Sequence, residues 1–524
     1  MPNKILSPYA RLPIGLWLAA LLGGGLGVFA FAPFYVWPMA LASLAALLAL
    51  WHLTTSALQA ALIGFTWGLG LFLAGASWLY VALHVYGNMP APLAALCIFL
   101  FCCYLALYPA LACLTAYKLR SSSRPMRALL LIMPTCFVAA EYLRGWVVTG
   151  FPWLITGYSQ TPGGWLAAPL AGYAPIFGAF GISWLLALTA GFMVLLIKAG
   201  VRGWAAMFRG RMLMLSAVIV VVWAAGAALS SIPWSTPSGA PLSVALVQGN
   251  IDQQLKWRED QRAATLDNYF ELVQSTTAKL IVLPETALPV FLDEIPVDYL
   301  AALKQRAEKN GGDLIMGVPI AQRTSANNAS YTYANSAISM GVSPPQRYDK
   351  VHLVAFGEFI PPLFSWAYHW LSIPLADFTP GPQTQASMQV SGHSVAVNIC
   401  YEDTFGDEIA RPLPDAEVLV NIANMAWYGH SLAADQHAQF SQMRALETSR
   451  WMLRSTNTGV TAAINERGEI VKSLPQFVRG VLEVEAIPRQ GVTLYVRWRD
   501  APVLLGLLMA LLASFFMRRL PTAK

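Results

Sequence analysis

Charge is scarce in this chain, and acidic charge is nearly missing from half of it. Of 524 residues only 12% are Asp, Glu, Lys or Arg, against 56% hydrophobic, and mean hydropathy is +0.50. A chain this apolar is excluded from the ordinary soluble class and is expected to combine a membrane part with a soluble part. Outside residues 241–499 there are 2 acids, Glu141 and Asp500, beside 14 Lys and Arg. Inside that segment 26 acids meet 20 basic residues, a net charge of −6. The overall +6 is therefore the sum of two unlike regions, and no nucleic-acid partner is expected. Cysteine is sparse too. Five of the six (97, 102, 103, 113 and 136) lie in apolar stretches, and Cys400 has no soluble partner, which excludes a disulfide framework. No HExxH or CxxC pattern occurs, so neither a metal nor another cofactor is expected.

What is present begins with long apolar runs, near 14–30, 36–53, 58–84, 92–117, 127–143, 173–198, 212–230 and 502–517. About 20 apolar residues cross a bilayer as a helix. Eight spans are expected, the first a retained helix behind Lys4 and Arg11. With the N-terminus in the cytoplasm, the loops holding Lys118, Arg120, Arg124 and Arg127 and then Lys198, Arg202, Arg209 and Arg211 lie inside, as do Arg518, Arg519 and Lys524. Only Arg144 of the 14 falls on the other side, a strong positive-inside pattern. The expected organisation is a membrane part over 1–239, an external domain over 240–499, and an eighth helix with a cytoplasmic tail over 500–524. The bacterial inner membrane, with the domain in the periplasm, is the expected location. Glu141 and Arg144, one turn apart, are expected to pair. The apolar external loop 144–172 reads as an interfacial anchor or as the lining of a lipid entry.

From Ser243 the pattern becomes α/β. Strands are expected at 243–248, 279–283, 312–318, 334–340, 393–399, 417–422, 459–464 and 478–484, and helices near 258–277, 297–309 and 430–453.

Three stretches carry chemistry. Val397-Asn398-Ile399-Cys400-Tyr401-Glu402-Asp403 ends a buried strand with a thiol followed by carboxylates. Leu280-Ile281-Val282-Leu283-Pro284-Glu285 puts a carboxylate at a strand's end, where partial desolvation would raise its pKa and suit it to act as a general base. Arg347 to Phe359 holds Lys350 and Glu358 in an apolar, aromatic setting. An ammonium beside a thiol favours thiolate and stabilises an oxyanion. His352 reads as a core or supporting imidazole rather than the base of a Cys–His pair.

Taken in chain order, Leu283-Pro284-Glu285, then Asp349-Lys350-Val351-His352, then Ile399-Cys400-Tyr401-Glu402, the three stretches resemble the nitrilase (carbon–nitrogen hydrolase) superfamily, whose Glu-Lys-Cys triad lies on an α-β-β-α sandwich. With eight spans around them the match narrows to the apolipoprotein N-acyltransferases. Further matching motifs are Gly150-Phe151-Pro152-Trp153, Gly157-Tyr158-Ser159-Gln160, Phe356-Gly357-Glu358-Phe359, Ala426-Trp427-Tyr428-Gly429, Gln442 to Glu447 and Arg454 to Gly459. Ala355, His430 and Ala433-Ala434 depart from the usual pattern. The resemblance implies transfer of an acyl chain from a phospholipid to the α-amine of the diacylglyceryl-cysteine of an apolipoprotein, the last step of lipoprotein maturation, by a membrane-bound monomer. It implies Cys400 as nucleophile, Glu285 as general base and Lys350 as oxyanion holder, with Glu358, Tyr401 and Glu402 in support. Phe359, Trp366, Trp370 and Trp427 are the expected lipid contacts, the first three within an aromatic lid over 356–371. A membrane-anchored amide hydrolase would share the triad but favour an open, polar mouth. A transporter would carry charged groups in mid-membrane, where these spans have almost none.

Overall fold

The computed structural model describes residues 13–121, 124–201, 210–325, 328–361 and 377–519. Seven apolar helices come first: α1 (Ile14–Leu26), α2 (Pro38–Leu53), α3 (Ala57–Ala76), α4 (Ala91–Leu119), α5 (Pro125–Arg144), α6 (Ala174–Val201) and α7 (Gly210–Leu229). Among the described residues, five helices (α3 to α7) are long and apolar enough to cross a membrane, and three others are shorter: 14–30, 38–53 and 501–517. Eight runs are thus helical where the sequence places them, while only five reach spanning length.

Without a hydrophobic drive between helices in lipid, close packing of small residues takes over. A methyl group on Gly24 would fall 1.9 Å from the Trp67 carbonyl oxygen, and one on Gly70 2.0 Å from that of Leu21. Helices α1 and α3 are therefore in backbone contact, which no larger residue permits.

The α/β half is two facing six-stranded sheets. The strands are β1 (Leu242–Gln248), β2 (Leu280–Val282), β3 (Asp313–Ser325), β4 (Asn328–Gly341), β5 (Arg347–Asp349), β6 (Met388–Val390), β7 (His393–Ile399), β8 (Val418–Ala423), β9 (Trp451–Thr456), β10 (Ala462–Ile464), β11 (Ile470–Ser473) and β12 (Gly480–Ala486). One sheet runs β12-β1-β2-β3-β4-β5, the other β11-β10-β9-β8-β7-β6. Alternation aims Val244, Leu246, Val282 and Ile315 of the first at Val395, Val397, Ile399, Val420 and Leu453 of the second, forming a dry interior. Helices α8 (Arg262–Gln274) and α9 (Val297–Lys309) cover the outer face of the first sheet through Leu272, Val273, Leu303 and Ala307.

Helix α10 (Ala433–Thr448) covers the outer face of the second sheet, and there the fold departs from a free-standing sandwich. Its sequence is polar, yet all but one of its 16 residues are buried, because the helical bundle packs on its far side. Its amides act as donors and acceptors between the halves. Gln436 Oε1 accepts from Trp78 Nε1 (3.1 Å) and Trp153 Nε1 (2.6 Å). Gln439 Oε1 accepts from Ala32 N (3.1 Å), and its Nε2 donates to the Tyr158 carbonyl (2.9 Å). Glu447 Oε1 accepts from Ala179 N (2.9 Å), where α6 is broken at Gly178. A final helix, α11 (Ala501–Arg519), returns to the bundle.

Several expectations change. The helix expected over 430–453 stops at Thr448, because Ser449 is left-handed (φ 51°) and turns the chain into β9, a strand with no sequence-based expectation. No Glu141–Arg144 ion pair forms among the described residues. Glu141 Oε1 instead accepts from Thr156 N and Oγ1 (2.9 and 2.7 Å), and Arg144 donates to the carbonyls of Phe151 and Trp153 (2.6 and 2.5 Å). Both residues fold the 150–157 segment back on the bundle. That segment is not a surface lining: residues 152–161 are buried against α10 and α6.

Candidate active site

Cys400 follows β7, Glu285 follows β2, and Lys350 follows β5. One sheet thus delivers the thiol and the other delivers the carboxylate and the ammonium. Cys400 is half-buried and has φ 54°, a left-handed backbone that a residue with a Cβ adopts only under constraint. The constraint is visible at its carbonyl, which accepts from Asn421 Nδ2 and lies at the same 3.1 Å from His437 Nε2.

Lys350, 1% exposed, donates to Glu358 Oε1 (2.8 Å) and Glu285 Oε1 (3.3 Å). Asn335 Nδ2 spans the same two oxygens at 2.7 Å each. The second Glu285 oxygen accepts from Asn424 N (2.9 Å), and the second Glu358 oxygen from Val354 N (2.8 Å). Gly317 of β3 lets this corner close: a methyl there would lie 2.6 Å from Glu285 Cα.

The charge states follow from these contacts. Burial pushes the Glu285 carboxyl up, but Lys350, Asn335, Lys256 and Asn424 together pull it below the usual carboxylate range. The raised value expected from desolvation alone is therefore overturned by the salt bridge. Burial opposes the Lys350 charge, yet Glu358 and Glu285 hold it well above the ordinary lysine value. Burial and then the Glu285 carboxylate push the Cys400 thiol well up, against the pull of Lys350. At rest the site holds a neutral thiol, an ionised base and a charged lysine, and not the thiolate that an ammonium alone would favour.

Glu402 supports the site differently from Glu358. It touches neither Lys350 nor Glu285. Its Oε1 accepts from Val351 N (2.6 Å) and His352 N (3.2 Å), its Oε2 accepts from Ile399 N (2.6 Å), and the Tyr348 hydroxyl donates to it at 3.0 Å. It joins the backbone carrying Cys400 to that carrying Lys350, and burial moves its pKa to about 7. Tyr401 donates to the Gly150 carbonyl (3.2 Å), tying the Cys400 loop to the bundle. His352 stacks on Phe405 (3.6 Å) and reaches Glu408 (3.2 Å) and the Thr149 carbonyl (2.9 Å), a structural position. Trp427 is half-buried, edge-on to Tyr86 at 6.3 Å, and Phe359 is half-buried and forms isolated strand bridges with Ala355 and Asp377. Trp366 and Trp370, with most of the expected lid, lie outside the described residues. An open cavity of about 750 Å³ separates Ala74, Ser77 and Trp78 of the bundle from His430, Ser431 and Phe477.

The structure adds groups that sequence reasoning did not assign. Asp403, His437, Ser441 and Arg454 form a buried network beneath Cys400: Arg454 Nη1 donates to Asp403 Oδ2 (2.9 Å), Ser441 Oγ to the same oxygen (2.5 Å), and Arg454 Nη2 to His437 Nδ1 (2.6 Å). An arginine directly after the apolar run Trp451-Met452-Leu453 was the available signal. Lys256, in a loop, offered none.

A family model described as apolipoprotein N-acyltransferase N-terminal domain matches residues 23–192, and a carbon–nitrogen hydrolase model matches residues 243–495. A Nitrosomonas europaea protein named apolipoprotein N-acyltransferase is 45% identical over 96% of this chain and 98% of its own length. One of the same name from Ralstonia nicotianae is 41% identical over 98% of this chain and 95% of its own. Among solved structures, the C. elegans NitFhit protein is 13% identical with a TM-score of 0.37, covering 51% of this chain and 65% of that one.

Proposed function

The chain belongs to the apolipoprotein N-acyltransferase family, and from that membership we propose that it moves an acyl chain from a phospholipid to the N-terminal amine of a diacylglyceryl-apolipoprotein through a thioester on Cys400. The observation that carries this reading is the buried Glu285–Lys350–Glu358 cluster facing Cys400 across two sheets, in a chain whose other half is an apolar bundle.

In the first half-reaction the Cys400 S–H proton passes to Glu285 as sulfur bonds to the ester carbonyl carbon. The carbonyl electron pair moves to oxygen, where the Lys350 ammonium and the Tyr401 N–H hold it. Collapse breaks the C–O bond, and Glu285 returns its proton to the leaving lysophospholipid oxygen. In the second, the incoming α-ammonium loses one proton to solvent through Glu285. The neutral amine attacks the thioester, and Glu285 carries the second amine proton to the departing sulfur. Glu358 and Asn335 keep Lys350 and Glu285 in place throughout. The cavity beside Trp78 and Tyr428, at the level where bundle and sandwich meet, suits the approach of lipid from the membrane.

One thiol serves both halves, so the two lipids are expected to take turns. Full-length protein incubated with phospholipid alone should gain the mass of one acyl chain at Cys400 and release one lysophospholipid, and initial rates should give parallel double-reciprocal lines. Absence of the adduct, with intersecting lines, would show both lipids bound at once and no thioester carrier.

The protein is a membrane protein, and the basic loops support eight crossings of a bacterial inner membrane, with 240–499 in the periplasm. A reporter inserted in an exposed turn of 240–499 should behave as periplasmic, and one fused after residue 524 as cytoplasmic. Both on one side would exclude the eight-helix topology.

A further inference from the structure

A second lysine lies in the same corner. Lys256 belongs to the turn after β1, which is latched to the site by amides: Asn457 Oδ1 accepts from Ile251 N (2.9 Å), and Asn424 Nδ2 donates to Gln253 Oε1 (2.9 Å). The same Asn424 gives its N–H to Glu285. Lys256 is only 3% exposed, and among the described residues its Nζ makes one hydrogen bond, a long one of 3.5 Å to the Glu285 carbonyl. No carboxylate lies within ion-pair distance of it among the described residues. An ammonium has three donors, and a buried one left so poorly matched costs stability. Its turn keeps its own charges in solvent: Asp252 and Arg258 are exposed, and Arg258 is paired with Asp260 at 2.6 Å. The titratable groups facing Lys256 are those of the active site, the Glu285 carboxylate and the neutral Cys400 thiol, with Lys350 and Glu358 behind Glu285.

Counting charge gives the group a role. Glu285, Glu358 and Lys350 together leave the corner with one net negative charge. Transfer of the thiol proton to Glu285 creates a further anion at sulfur, then at the acyl oxygen, without changing that total. A cation held by the fold, and not cancelled by a carboxylate partner, lowers the cost of every one of these anions.

We propose that Lys256 is a second cation of the acyl-transfer site, a positioning residue whose ammonium balances the Glu285–Lys350–Glu358 cluster and eases the movement of negative charge onto the Cys400 sulfur and the acyl oxygen. The role rests on the acyl-transfer reading of the site. Burial lowers the Lys256 pKa to about 8, against the pull of Glu285 and Cys400, so the charge is present at neutral pH and lost above it. A lysine with a depressed pKa weakens the folded state below about pH 8, and this penalty fades as pH rises toward the ordinary 10.5.

The test uses full-length protein in detergent, with Lys256→Met and Lys256→Arg. Two rates are read from pH 6 to 9: Cys400 acylation by a dipalmitoyl glycerophospholipid, and Cys400 alkylation by iodoacetamide. Lys256→Met should slow both at pH 7 by about tenfold, the equivalent of one pKa unit at the thiol. It should also abolish the fall in acylation rate that the parent shows above about pH 8, the value at which Lys256 loses its charge. Lys256→Arg should restore part of the rate and move the fall to higher pH. The melting temperature of Lys256→Met should be unchanged or higher, because an unmatched buried charge is gone. A lysine that merely braces the turn predicts the reverse, a lower melting temperature with an unaltered pH profile, and that result overturns the role. If the parent protein forms no thioester, the acyl-transfer reading fails by itself. The alkylation rates then still decide whether Lys256 acts on the thiol: equal rates in parent and Lys256→Met overturn it.

Discussion

Cys400→Ala is expected to end acyl transfer altogether, and Cys400→Ser to reduce it by about 10³-fold or more, with neither unfolding the protein. The alanine variant removes the sulfur proposed to carry the acyl chain. The serine variant keeps a nucleophile of similar shape, but its base is wrong for it. Glu285 is held below the usual carboxylate range by Lys350 and Asn335, so it is a weak base, adequate for a thiol and far from a hydroxyl. Fold should survive because among the described residues the sulfur makes no hydrogen bond, and the strained backbone is fixed through its carbonyl by Asn421 and His437 instead. The measurements are intact mass after incubation with phospholipid, lysophospholipid release, and a thermal melt. The parent enzyme should retain its base to low pH: Glu285 stays ionised until pH falls below the ordinary glutamate value of 4.5, so loss of activity near pH 6 would implicate another group. Acyl transfer to a lipopeptide by Cys400→Ala at the parent rate would remove the thioester from the mechanism.

Much of this site was legible because short motifs carry their chemistry in local sequence. Pro284-Glu285 and Ile399-Cys400 each end a strand, and a strand's end is where the fold exposes a side chain to a facing sheet. What stayed hidden was relational. The lowered pKa of Glu285 depends on Asn335, fifty residues downstream in β4, and on Lys256, twenty-nine upstream. The burial of α10 could not be read from its polar composition, since its amides are matched by Trp78, Trp153 and Tyr158 from the bundle. β9 was obscured because Ser449, not glycine, takes the left-handed turn before it. The run of eight apolar segments was plain, whereas the lengths of α1 and α2 depend on where the chain turns at Gly27 and Thr54.

The network under Cys400 carries the largest structural effect. Arg454 and Asp403 are both fully buried, and their ion pair of 2.9 Å is completed by Ser441 and His437. Arg454→Met should destabilise the protein by about 3–5 kcal/mol, because it strands the Asp403 charge in the interior. Asp403→Asn added to Arg454→Met should recover a substantial part, since the charge that lacked a partner is removed with it. Arg454→Met should also lower acyl-enzyme formation, for His437 then loses the donor at Nδ1 that keeps its Nε2 proton aimed at Asp403 and the Cys400 carbonyl. The pH dependence has a fixed sign. Burial opposes the Asp403 charge, but His437 and Arg454 hold its pKa below the ordinary 3.8, so its contribution is present above that value and lost as pH falls through the lower folded one. Burial and Arg454 lower the His437 pKa from 6.5, so the unfolded chain takes up a proton first and stability declines as pH drops below that point. In thermal melts of the detergent-purified protein between pH 8 and pH 4, the His437 share of the melting temperature should therefore fall as pH drops below 6.5, against the opposite slope of Glu402, whose raised pKa of about 7 makes its burial less costly as pH falls from 7 toward 4.5. In Arg454→Met the loss tied to Asp403, confined below pH 3.8 in the parent, should move to higher pH, because the carboxylate has lost the arginine that kept it ionised. A melting temperature for Arg454→Met equal to the parent's at pH 7 would mean that the ion pair contributes nothing to holding Cys400 in place.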